Sequence, residues 1–85
     1  MTTEFQKRII EYVKNRPNRM ASRWEIAQGA FPEKWIDIKR SQGNRTHGRG
    51  ALIAHIRRAA QTCEQLGRLP AKTQWDDDVI FYRDV

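Results

Sequence analysis

Leu52, Ile56, Ala59, Cys63 and Leu66 recur at i, i+4, i+7, i+11 and i+14, the spacing that places apolar side chains on one face of an α-helix. No other stretch of the chain is so strongly periodic. The pattern predicts a helix from about 48 to 66, roughly 28 Å long at 1.5 Å per residue. Gly67 then stands where a left-handed C-terminal residue belongs.

The opposite side of that helix holds His47, Gly50, Ala54, Arg57, Arg58 and Gln61. Small residues near its start allow a close approach of the backbone to a groove, and Arg57 can reach a phosphate or a guanine edge. Between Asp37 and Glu64 there are six Lys and Arg residues and no acid. The basic segment Arg45-Thr46-His47-Gly48-Arg49-Gly50 leads directly into the helix, whose first turn presents unpaired N–H groups and the positive end of its dipole. Guanidinium groups around that end add charge suited to phosphate. The candidate nucleic-acid-binding set is therefore Lys39, Arg40, Arg45, Thr46, His47, Arg49, Gly50, Arg57, Arg58 and Gln61. The glycines are not a P-loop, since no Gly-Lys-Ser/Thr follows and no clear apolar strand precedes them.

At 85 residues the chain reads as one domain, 1–85, near the size below which a hydrophobic core struggles to hold itself together. Its net charge of +6 is unevenly spread. Residues 1–63 carry thirteen Lys and Arg against five acids, whereas 64–85 carry three against five. A basic body of this kind suits a polyanion, with a tail that does not share the task. The single cysteine, Cys63, excludes an intramolecular disulfide. No apolar run approaches the roughly 20 residues of a membrane span, and no signal-peptide segment opens the chain. The expectation is a soluble, cytoplasmic protein with no membrane partner.

Thr3-x-x-Gln6 is a capping box, and Phe5, Ile9, Tyr12 and Val13 follow on one helical face. Helix one is expected from about 3 to 15, stopped ahead of Pro17. A second box, Ser22-x-x-Glu25, opens a short helix with Trp24, Ile26, Ala27 and Phe31 on its apolar side, ending near Gly29 or Ala30. Met20 adds a brief extended stretch before it. Residues 32–47 read either as a helical turn begun by Pro32 or as an extended segment. The preferred version is one turn packing Trp35 on the core, then a mobile basic loop. Finally, Lys72-Thr73-Gln74-Trp75 and Val79-Ile80-Phe81-Tyr82, separated by Asp76-Asp77-Asp78, read as a β-hairpin.

The expected fold class is α+β, mostly α, with three helices followed by a C-terminal hairpin. Ala21-Ser22-Arg23-Trp24-Glu25-Ile26-Ala27 resembles the second helix of the winged helix-turn-helix superfamily. Ile56-Arg57-Arg58-Ala59-Ala60 through Leu66-Gly67-Arg68-Leu69 resembles the end of its third helix leading into the wing. The likeness spans nearly the whole chain and implies a small DNA-binding domain of bacterial or phage type, whose third helix enters the major groove. Two features differ from the superfamily: the segment joining helices two and three is longer than a tight turn, and the hairpin tip carries three aspartates. The tip is accordingly expected to stay off the DNA.

Chemistry other than binding finds little support. His47, His55 and Cys63 are spaced eight apart, so successive side chains drift around a helix, and Cys63 falls on the apolar stripe. The aspartate run lacks the alternating ligands and glycine of a calcium loop. No Ser/His/Asp, Cys/His or metal–His–Glu arrangement is legible, so neither a catalytic residue, a metal nor a cofactor is expected, and the chain is not read as an enzyme. Trp24 and Trp35 read as core plugs, and Trp75 as a contact residue or hairpin clasp. The functional expectation is a nucleic-acid-binding domain, for duplex DNA, acting as a transcriptional regulator or DNA-metabolism accessory factor. A winged-helix adaptor docking on an acidic protein partner and an RNA-binding winged helix are the alternatives.

Overall fold

Thr3 fixes where the first helix begins. Its hydroxyl accepts the Gln6 N–H at 3.1 Å, and the Gln6 side-chain oxygen accepts the Thr3 N–H at 3.0 Å, as the spacing predicts. From this cap α1 runs Glu4–Lys14 and buries Ile9, Ile10 and Val13. Gln6 is itself buried, and its amide nitrogen donates to Ala59 O at 3.1 Å and Thr62 Oγ1 at 3.0 Å. One side chain thus caps a helix and ties the chain's start to residues late in the sequence. The computed structural model describes residues 2–42, 47–72 and 78–83, with backbone alone at 39–42 and 47–49.

A 3-10 turn at Pro17–Arg19 reverses the chain, with Asn18 and Arg19 at φ of 62° and 53°. Strand β1 follows at Met20–Ser22, then α2 at Arg23–Ala30, whose N-cap Ser22 accepts the Glu25 N–H at 3.1 Å. Pro32 opens α3, Pro32–Gln42, rather than a single turn. Its length was hard to foresee because it lends little to the core: Trp35 and Ile38 pack there partly buried, while Ile36 is exposed. Helix α4 spans His47–Gln61, and the strands β2 at Leu66–Leu69 and β3 at Val79–Tyr82 complete the chain. Of the expected mobile loop before α4, residues 43–46 lie outside those described.

The fold is α+β and mostly helical, with four α-helices rather than three and a three-stranded antiparallel sheet in the order β1-β3-β2 among the described residues. Met20 and Ala21 pair with Phe81 and Ile80, while Gly67 and Leu69 pair with Phe81 and Val79. The predicted first strand at 72–75 is therefore misplaced. The strand lies earlier, at Leu66–Leu69, and 73–77 lie outside the described residues. This also ends α4 before Leu66, so two of the residues read as one helical stripe sit beyond it: Cys63 in the connection and Leu66 in β2. Both are still buried, because strand and helix deliver them to the same core.

Gly67 shows why the longer helix fails. It is a strand residue, not a helix C-terminus, and a Cβ there would lie 2.2 Å from Phe81 Cζ. Glycine is needed here for close approach across the sheet. Gly29 has the same role between helices, since its Cβ would lie 2.3 Å from the Tyr12 ring.

The core gathers Ile9 of α1, Ile26 of α2, Ile56 of α4, Leu66 of β2 and Ile80 of β3, all fully buried, around Phe31. Ile56 lies in the middle of α4 and removing it leaves a void that several elements line. Ile56→Ala is expected to cost about 2–5 kcal/mol. Chemical denaturation measures this, and a near-wild-type midpoint would mean that α4 packs by a different face.

Candidate nucleic-acid interface

Anchoring one face of α4 decides what the other presents. Leu52, Ile53, Ile56, Ala59 and Ala60 are buried, and Gly50, Ala51, Ala54, Arg57, Arg58 and Gln61 are exposed. A Cβ built on Gly50 meets nothing within 4 Å. The outer surface is therefore low and uncharged at Gly50, Ala51 and Ala54, then cationic and polar through Arg57, Arg58 and Gln61. This matches the face predicted for the described residues. His47 and Arg49 belong to the first turn of α4, and Lys39 and Arg40 to α3, but the description of these four stops at the backbone. Arg45 and Thr46 lie outside the described residues.

Much of the basic charge elsewhere is spent internally. Lys7 faces Glu4 at 3.6 Å, Arg16 faces Glu25 at 3.6 Å, and Arg8 meets Glu33 at 2.6 Å. Arg8 also donates to Ala30 O and lies over the Phe31 ring, 4.4 Å from its centroid. Phe5 stacks between Phe31 and His55, with centroids 4.5 Å and 3.8 Å away. A continuous stack thus joins α1, the α2–α3 junction and α4, with the exposed His55 ring lying against Phe5. Arg58, by contrast, has no carboxylate within 4 Å among the described residues.

Asp78 overturns one expectation directly. It is not part of an exposed acidic tip: only 7% of its surface is accessible. Its Oδ1 accepts the Ala71 N–H at 2.9 Å, and its Oδ2 accepts Arg68 Nη1 at 2.9 Å. The same Oδ2 lies 3.8 Å from Arg57 Nε and 3.9 Å from Arg23 Nε. Its carbonyl accepts the Arg23 N–H at 3.1 Å, at the first residue of α2. One carboxylate therefore binds α2, α4 and β2 together. Burial pushes its pKa up, but the Ala71 hydrogen bond and the Arg23 and Arg68 charges outweigh this and hold it below the ordinary value of 3.8. Asp76 and Asp77 of the expected tip lie outside the described residues.

Arg23 and Arg68 are not among the candidate binding residues read from the sequence, and Asp78 enters there only as part of the aspartate run. Each is unremarkable locally, and they meet only because β3 folds back between β1 and β2. Trp24 also departs from its expected role, being 40% exposed and set edge-on to Trp35 at 5.4 Å. Cys63 is buried and free, as its place on the stripe implied. Among the described residues no group of three His, Cys, Asp or Glu is arranged to hold a metal, and no helix is long and apolar enough to cross a membrane.

Comparison with protein-family models, curated proteins and solved structures gave no match. The chemistry of the site rests on its own geometry.

Removing the carboxylate leaves three partly exposed arginines without their acceptor, at a cost of about 1–3 kcal/mol, less than stranding fully buried charges. Asp78→Asn is expected to lose stability of that order at neutral pH. Because the folded pKa is depressed, the carboxylate's contribution is complete above its ordinary value and disappears as pH falls through the folded value. Wild type should therefore lose stability in acid, and Asp78→Asn should lose less between pH 7 and pH 3. Denaturation at both pH values checks this, and an equal acid loss in the two proteins would remove Asp78 from the account.

Proposed function

We propose that this chain is a winged-helix domain that binds nucleic acid, specifically duplex DNA, through the outer face of α4 and the basic segment before it. The element order supports the fold reading: a helix, a short strand, helices, then two strands, with β3 between β1 and β2. In this reading α4 is the recognition helix, and α3 occupies the long connection from the second helix. The hairpin formed by β2 and β3 is the wing. A domain of this kind would serve as a transcriptional regulator or as an accessory factor in DNA metabolism.

The observation that carries the binding reading is the outer face of α4. Gly50, Ala51 and Ala54 leave the helix narrow enough to approach a groove, while Arg57, Arg58 and Gln61 supply phosphate and base-edge donors farther along. The surrounding sequence carries no acid from 38 to 63. Such a surface attracts phosphate through counterion release, so its affinity must fall steeply with salt.

Ala54 offers a direct test because it is exposed and contributes nothing to the core. Ala54→Glu adds both bulk and negative charge in the middle of the proposed contact. Stability should change by no more than about 0.5 kcal/mol, while duplex affinity at low salt should fall by tenfold or more. Fluorescence anisotropy with a random-sequence duplex reads the affinity, and undiminished binding would remove α4 as the contact element. The adaptor reading draws on a different surface, where Trp24 and Ile36 are exposed. It gains if wild type binds no duplex or structured RNA at any salt concentration.

A further inference from the structure

We propose that Arg68 of β2 joins Arg57 of α4 in gripping a single phosphate, with the buried Asp78 holding both guanidinium groups in place. The proposal rests on the duplex-binding reading and extends the contact from the helix to the hairpin. It assigns a binding role to Arg68, a residue in the segment after Cys63 where the overall charge turns acidic.

The charges at one oxygen do not balance. Arg57 and Arg68 bring two positive charges to the single carboxylate of Asp78, at 3.8 Å and 2.9 Å from Oδ2. One negative charge cannot neutralise both, even with Arg23 left aside. Arg68 takes the hydrogen bond to Oδ2. Arg57 approaches the same oxygen through Nε at a distance too long for a hydrogen bond, and makes no other polar contact to a described residue. A guanidinium carries five N–H donors in a fixed fork, so both groups keep donors for a second acceptor.

Accessibility and order favour an anion there. The Arg57 and Arg68 side chains are 47% and 25% exposed, so a ligand in solvent can reach them. Arginines packed against a buried carboxylate have already surrendered much of their rotamer freedom. Binding a phosphate then costs less entropy than it would on a free surface side chain. Because both guanidinium groups reach the same carboxylate oxygen, their contacting nitrogens are close enough for one phosphate to bridge. Phosphate oxygens suit the fork as carboxylate oxygens do. Asp78 acts here as a positioning residue: it orients the cations and does not itself touch the nucleic acid.

A shared phosphate has a signature that two separate contacts lack. Each neutralised phosphate contributes about 0.9 to the log–log dependence of affinity on salt. Duplex binding is measured by anisotropy across a salt series for wild type, Arg57→Ala, Arg68→Gln and the double variant, with thermal unfolding as a check on folding. Each single variant is expected to lose about tenfold in affinity and to flatten the slope by about 0.9. The double variant should flatten it no further than either single change. Wild-type affinity in Arg68→Gln, alongside weakened Arg57→Ala, would overturn the shared site and leave the α4 reading standing. A slope loss in the double variant equal to both single losses added together would do the same. No duplex binding by wild type would end both.

Should Arg68→Gln fail to fold, the unmodified protein supplies the answer through its guanidinium NMR signals. The Nε–Hε resonances of Arg57 and Arg68 should shift together as a short duplex is added. An Arg68 resonance that stays in place while Arg57 moves would overturn the proposal.

Discussion

A single buried carboxylate holds together the parts of this molecule that matter most to its outer surface. The Asp78 carboxylate accepts the Ala71 N–H after β2 and faces the side chains of Arg68, Arg57 and Arg23, while its backbone carbonyl accepts the Arg23 N–H at the start of α2. Burying a charge is costly unless neighbours satisfy it, and here they do. The consequence is geometric as well as energetic. The start of β3 is locked to α2, to α4 and to β2 at one point, so the hairpin and the long helix keep a fixed relationship. In a chain of 85 residues, where apolar burial alone gives little reserve, such a link has a large share in defining one structure.

The hydrophobic core complements that link from the opposite side of α4. Ile56 and its neighbours commit the inner face, and the stack of Arg8, Phe31, Phe5 and His55 secures the flank. Apart from Arg57, whose guanidinium faces Asp78, the outer residues of α4 consequently have no structural work in the interior. Their composition is free to serve solubility or a partner. The combination of small residues at one end and arginines at the other is what makes a polyanion the favoured partner in the proposed function. Lys7 and Arg8 of α1 and the nearby Arg16 are matched instead to acids, whereas Arg58 of α4 faces none among the described residues.

Local chemistry made much of the fold legible in the sequence. The Thr3–Gln6 cap, the inner face of α1, the Ser22 cap and the buried side of α4 all depend on residues within a turn or two of one another. What could not be read depended on distant partners. Leu66 satisfied helical periodicity equally well, and only pairing with Tyr82 makes it a strand residue. Gly67 looked like a helix stop because its real constraint, the Phe81 ring, lies across the sheet. Helix α3 lacked a strong stripe since, of its described side chains, Trp35 and Ile38 reach the core only partly buried. The candidate interface divides in the same way. The outer residues of α4 followed from periodicity, whereas the Arg57–Asp78–Arg68 cluster required the sheet topology. Asp78 in particular was grouped with an acidic run, and burial gives it the opposite role: it gathers cations instead of repelling phosphate.

The proposed function places nucleic acid on the outer face of α4. Backbone amide NMR of the folded chain, recorded as a short duplex is titrated in, tests it most directly because every element reports at once. Binding at that face predicts shifts that saturate with added duplex and concentrate at Gly50, Ala51, Ala54, Arg57, Arg58 and Gln61, with little change in α1. Shifts centred instead on Trp24 and Ile36, or a spectrum unaltered by duplex at low salt, would contradict it.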